Sequence, residues 1–164
     1  MKQKIKKYLP WALLAFIIVA QFFPIDKTNP ESDLANDFIT LNNPPPNLAD
    51  LIKDACYDCH SNHTKYPWYT NVAPVSWWIK GHINHASEHL NFSEWASYDA
   101  KKANHKLEEC FEMVSDNKMP LKSYVWMHKE AKMTDAQRKE LADWFGGSRN
   151  GGDGEAEESE NEEN

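Results

Sequence analysis

Apolar residues are distributed unevenly along this chain. Lysines at positions 2, 4, 6 and 7 are followed by Tyr8-Leu-Pro-Trp-Ala-Leu-Leu-Ala-Phe-Ile-Ile-Val-Ala-Gln-Phe-Phe23, a run with almost no polar residue. Such an order marks an export signal. With Pro24 and Ile25 extending the run, residues 1–25 are expected to form a transmembrane helix that anchors the chain, with the lysines on the cytoplasmic side. Cleavage after Ala20, the best site for it, would leave bulky Ile18 where a small residue is needed, so an anchor is favoured over a removed leader. Residues 26–43 are polar and lead into Pro44, Pro45 and Pro46, a composition that favours extended chain and predicts a linker. Within it, Asp37-Phe-Ile-Thr-Leu41 is apolar enough to lie on a domain surface.

Beyond the linker the period is helical. Asn47 is placed to cap a short helix through Leu48, Leu51, Ile52 and Ala55, running into Cys56. A second helix is expected from about residue 75 to 90, with Val75, Ile79, Ile83, Ala86 and Leu90 along one face. A third covers about residues 100 to 115, where Ala103, Leu107, Cys110, Phe111 and Val114 fall at spacings of three and four. A fourth starts at Thr134, with Gln137 completing a capping box, and is expected to stop before Gly146 and Gly147. No segment alternates with period two. The pattern predicts an all-α domain over residues 44–145, followed by a Gly- and Glu-rich tail, 146–164, expected to be disordered.

Charge removes one class of function. The net charge is −7; setting aside the four N-terminal lysines and the tail, where seven acids face Arg149, the body is still acidic. That excludes nucleic acid as a partner, because attraction to phosphate needs clustered Lys and Arg in the folded part. Three cysteines are too few for a disulfide scaffold.

The candidate chemistry lies in Cys56-Tyr57-Asp58-Cys59-His60. Two thiols three positions apart reach the two vinyl groups along one haem edge, and the imidazole that follows is then held beneath the iron. A zinc site or a redox disulfide would also use the two cysteines, yet neither needs a histidine directly after the second. The expected cofactor is one covalent haem c, bound through Cys56 and Cys59 and ligated by His60. A second iron ligand is expected from Met119, which Pro120 fixes in a loop between two helices. Met113, Met127 and Met133 are assigned to packing. Aromatic residues are dense from Tyr66 to Trp78 and recur at Trp95, Tyr124 and Trp126, as walls of a haem pocket would require. His82, His85 and His89 share one side of a helix, geometry suited to a second metal but more simply a polar boundary; His63, His105 and His128 are isolated. Cys110 is expected to be a buried thiol.

The helix ahead of Cys56, the motif itself and Met119-Pro120 before a final helix resemble a class I cytochrome c. The segments Ala55-Cys-Tyr-Asp-Cys-His-Ser-Asn62, Tyr66-Pro-Trp-Tyr69, Pro74-Val-Ser-Trp-Trp78, Leu90-Asn-Phe-Ser-Glu-Trp95 and Met119-Pro-Leu-Lys-Ser-Tyr124 together resemble the bacterial haem-binding domain family. The resemblance implies a c-type haem protein carried by Cys56, Cys59 and His60, with Met119 opposite; it implies no substrate. Two functions follow. One is an electron carrier, not an enzyme, attached to the cytoplasmic membrane by its N-terminal helix, with its haem domain in the periplasm and exported redox proteins as partners. The other is a haem sensor or peroxidase-like enzyme, whose distal ligand would have to be displaceable and in which a residue such as His82 would move protons.

Overall fold

A computed structural model describes residues 2–148, with side chains from Lys6 onward; every regular element among them is helical. In chain order these are α1 (Lys2–Ala20), α2 (Phe38–Asn42), α3 (Pro46–Ile52), a π-helical turn (Lys53–Tyr57), α4 (Asp58–His60), α5 (Val75–His89), α6 (Ala100–Ser115), α7 (Lys122–Met127) and α8 (Asp135–Ser148). Short 3₁₀ turns over Leu34–Asn36, Trp68–Asn71, Phe92–Ser97 and Lys129–Ala131 connect them. The all-α expectation therefore holds. The tail beyond Ser148 lies outside the described residues.

α5 and α6 keep the bounds expected from their apolar stripes, and α8 keeps its expected start. Asp99 caps α6 by accepting from the Lys102 amide at 2.7 Å. At α8, Thr134 and Gln137 exchange bonds as a capping box, Gln137 N–H to Thr134 Oγ1 at 3.2 Å and Thr134 N–H to Gln137 Oε1 at 2.9 Å. α6 and α8 make the most extensive helix pair in the fold, burying Leu107, Val114, Leu141, Ala142 and Phe145. α8 does not stop at its glycines. Gly146 and Gly147 are helical, and a Cβ on Gly146 would sit 3.3 Å from the Phe111 ring, so the missing side chain serves close approach of α8 to α6 rather than termination.

Three expectations need correction. Asn47 does not cap α3; Pro46 occupies its first turn, and the Asn47 amide reaches across to Glu140 Oε1 at 2.9 Å. The segment read as a linker carries a core residue. Asp37 caps α2, and Phe38 is fully buried with its ring 4.8 Å from Phe92, 4.6 Å from Trp95 and 5.8 Å from Trp144. The transmembrane helix is also not supported: among the described residues no helix is long and apolar enough to cross a membrane. In α1 lysines occupy four of the first six positions, and the apolar part, Tyr8–Ala20, rises only about 20 Å against the ~30 Å of a bilayer core. Its side chains from Lys6 to Val19 are all exposed, and only Ala20, at its end, is buried.

Candidate functional site

The motif Cys56–His60 completes a helical segment that begins at Pro46. α3 buries Leu48, Leu51 and Ile52 and runs without interruption through the π turn, which carries Cys56, into α4, which carries Cys59 and His60. π turns inside helices recur at functional sites because the extra residue re-aims the side chains around it. The expected helix thus continues past Cys56 to the histidine. None of the three cysteines is in a disulfide. Burial pushes the Cys56 thiol up to about 12 and the Cys59 thiol to about 11, so both are held protonated at neutral pH.

His60 is oriented by the end of α5. Its Nδ1–H points at the carbonyls of Ala86 (3.1 Å) and Leu90 (3.2 Å), which leaves Nε2 as the free lone pair. Burial lowers its pKa, and the neutral, ligating form is favoured. An imidazole fixed through one nitrogen by backbone oxygen is the arrangement metal-ligating histidines use. The segments after α4 and α5 then lock together. The Asn62 amide donates to Ser93 Oγ at 3.1 Å, Asn91 Nδ2 donates to Asn62 Oδ1 at 2.8 Å, and Tyr57 stacks on Phe92 at 5.4 Å.

Beside Cys59 lies a cleft of about 420 Å³, within the usual range for a small-molecule site. Its apolar lining comes from Val75, Trp78, Ile79 and Ile83 of α5 and from Leu121, Tyr124, Trp126 and Met127 around α7. Tyr69, Trp78, Tyr124 and Trp126 wall it as expected, whereas Trp95 packs in the core against Phe38. The polar lining is bonded. Asp58 accepts from Tyr124 OH at 2.8 Å and from the Lys65 amide at 3.1 Å. His128, also stacked on Tyr124 at 4.1 Å, gives its Nδ1–H to Glu130 (3.1 Å), so Nε2 accepts from Tyr69 OH at 2.5 Å. Burial and the neighbouring Asp58 raise the pKa values of both tyrosines, keeping them as donors.

Met119 is half-buried and its backbone is held at both ends. Its N–H donates to Met113 O at 3.0 Å, and its carbonyl accepts from Arg138 of α8 at 2.8 Å. Leu121 and Ser123, which follow it, line the cleft; Met119 itself does not, while Met127 does. Of the methionines assigned to packing, Met133 is buried, but Met113 and Met127 are exposed. Among the described residues no cluster of three His, Cys, Asp or Glu side chains suits a further metal. His85 and His89 meet ring to ring at 4.4 Å, His105 pairs with Glu109 on the surface, and His63 lies against Ser32. His82, with Nδ1 on the Trp78 carbonyl at 2.8 Å, borders the cleft. Cys110, half-buried on α6, packs against the core, and burial raises its thiol pKa.

Sequence reasoning missed Asp58, His128 and Met127 as parts of this site. Their partners lie far along the chain, and no local spacing signals them. The two thiols, the fixed imidazole and the apolar cleft are what a haem edge, its iron and its face require, so the residues present fit the group. A search of curated proteins and one of solved structures each give no match. A profile of the haem-binding domain matches residues 15–146, reaching from the apolar part of α1 to the close contact at Gly146. That match covers most of the chain, and with the site described above it leads to one conclusion: the chain belongs to the haem-binding domain family.

Proposed function

We propose that this haem protein is a c-type electron carrier with one haem, joined covalently to Cys56 and Cys59, ligated by His60 and Met119, and enclosed in a class I cytochrome c-like helical domain. It works outside the cytoplasmic membrane, at the membrane's outer face, and passes single electrons between exported proteins. The observation that carries this reading is the placement of Cys56, Cys59 and His60 on one helical segment, with His60 Nδ1 held by Ala86 and Leu90 and Cys59 opening on an apolar cleft.

Bound there, haem supplies reversible one-electron chemistry at its iron. The chain's own residues do the rest. His60 is kept neutral and fixed in rotation. The aromatic and aliphatic walls exclude water and lower the local dielectric, favouring the less charged, reduced state. Met119 is taken as distal ligand from its place in a loop whose backbone is pinned by Met113 and Arg138, two residues ahead of Leu121 in the cleft lining. The location is supported by lysines preceding the apolar α1, an export pattern, and by covalent haem attachment taking place outside the cytoplasmic membrane.

A second reading, a sensor or peroxidase-like enzyme, is favoured by one observation: His82 borders the cleft with Nε2 free, and Met119 does not line it. Carbon monoxide binding to the reduced full chain separates the two. The carrier reading expects slow or no binding by the unmutated protein, fast binding and a lowered potential for Met119→Ala, and no opening for Met127→Ala or His82→Ala. Fast binding by the unmutated protein would establish the second reading instead, and opening by Met127→Ala would move the ligand to Met127.

A further inference from the structure

We propose that the face built from the 3₁₀ turn Trp68–Asn71 and the start of α5 is a lipid-binding surface, which lays the cleft side of the domain on an anionic phospholipid bilayer. Large side chains stand out from it. Trp68 is 72 % exposed, Val72 41 % and Val75 45 %, with Trp77 and Trp78 beside them; Trp126, 74 % exposed, joins them across the cleft mouth it shares with Val75 and Trp78. Single exposed apolar residues are ordinary, but a group rich in tryptophan is the composition found where protein meets the headgroup layer.

The neighbouring α1 points to what covers this face. α1, whose side chains from Lys6 to Val19 are exposed, is tied to it just beyond its C-terminal end. Gln21 brackets Ala73, its Nε2 donating to the Ala73 carbonyl at 2.9 Å and its Oε1 accepting from the Ala73 amide at 3.1 Å. The Trp77 indole N–H donates to the Phe23 carbonyl at 2.8 Å, and Lys27 Nζ bonds Asn71. Phe22 and Phe23, both exposed, sit at this junction. The unpartnered surface of α1 and the tryptophan face are therefore continuous, and one apolar layer covers both. α1 is not long and apolar enough to cross a bilayer, yet its apolar part, Tyr8–Ala20, leaves a large apolar surface uncovered beside this face.

Charge agrees with an anionic surface. From Cys59 to Ser87 this acidic protein has no Asp or Glu, and it places Lys65 and Lys80 there. Lys80 is held by Tyr66, at 3.1 Å from its hydroxyl. Asp26, near Lys80, Glu130, near Lys65, and the buried Asp58 of the cleft lining are the acids at the border. Seating this face on lipid turns the cleft mouth toward the headgroups, where a membrane-bound redox partner would meet it. The inference rests on the reading that the chain works at a membrane and not on the identity of the iron ligands.

Hydroxyl-radical footprinting of the unmutated full chain, with and without vesicles of phosphatidylcholine and phosphatidylglycerol, tests it while the haem spectrum is followed in the same samples. Oxidation of Trp68, Trp77 and Val72 is expected to fall about fivefold or more on vesicle binding, as burial in the interface requires. Leu34 and Met113, exposed elsewhere, are expected to keep their reactivity. Trp68→Ser, which leaves the cleft lining intact, should reduce the fraction bound with an unchanged haem spectrum. If the bound chain keeps Trp68 and Val72 fully reactive, α1 alone holds the membrane and the proposal is wrong. Protection that appears without vesicles and grows with protein concentration would equally overturn it, assigning the face to a second copy. A failure confined to footprinting, with the haem spectrum intact, leaves the carrier reading standing.

Discussion

Asp58 shows what the motif needs besides its ligands. Its position between the two cysteines looks interchangeable in the sequence, yet it is buried and ties α4 to two later segments through the Lys65 amide and Tyr124 OH. Removing a buried acceptor strands those donors, so Asp58→Ala should lower the unfolding free energy of the haem-loaded protein by about 2 kcal/mol. Tyr124→Phe, which leaves Asp58 one donor, should cost about 1 kcal/mol. Urea denaturation followed by far-ultraviolet circular dichroism measures both; an Asp58→Ala protein as stable as the unmutated one would remove the carboxylate from the framework. Cys56, Cys59 and His60 stand out in the sequence because they lie within five consecutive residues, and the structure carries them on one helical segment. Asp58 and His128 do not stand out, because the partners that define them, Tyr124 and Tyr69, are 66 and 59 residues away.

At the scale of elements, legibility followed amphipathic length. α5 and α6, fifteen and sixteen residues long, match their expected bounds, although α5 buries only Ser76 and Ile83 and leaves Val75 of its stripe exposed, while α2, five residues in a proline-rich stretch, gave no periodic signal. Phe38 is nevertheless the centre of an aromatic cluster joining the turn at Phe92 to α8. Phe38→Ala should therefore cost about 3–5 kcal/mol, the range for deleting a buried ring, and calorimetry of the full chain should show a large fall in Tm; a change of a degree or two would return this segment to the status of a linker. The glycines of α8 make a second test. Replacing helical glycine with alanine is worth up to ~1 kcal/mol where nothing obstructs the new methyl. Gly147 has open space around it and Gly146 faces Phe111 at 3.3 Å, so Gly147→Ala should stabilise and Gly146→Ala should stabilise less or destabilise. Equal gains at both positions would contradict the close approach of α8 to α6.

Beside its packed core the molecule is hollowed on one side into the cleft, and short helices border it. α4 has three residues and α7 six, lengths that do not persist in water without packing, and both border the cleft. A ligand that binds the folded state alone stabilises it, and one joined covalently cannot be diluted away. Cys59→Ser, which removes one of the two proposed attachment points, should accumulate to less than about a tenth of the unmutated level, because an unfilled cleft of this kind is left to proteolysis; immunoblotting of whole cells measures this, and a well-folded, haem-free Cys59→Ser protein would contradict it. The sequence could not reveal that hollow, since it is formed by α5 and α7 facing each other across more than thirty intervening residues.

Covalent attachment is the claim on which the carrier reading turns. Intact-protein mass measurement of the full chain after extraction with acid and organic solvent addresses it most directly. The expected mass is larger than that of the polypeptide by one haem, with the haem retained on the peptide that contains Cys56 and Cys59. A polypeptide at its bare mass, with the haem in the solvent, would contradict it.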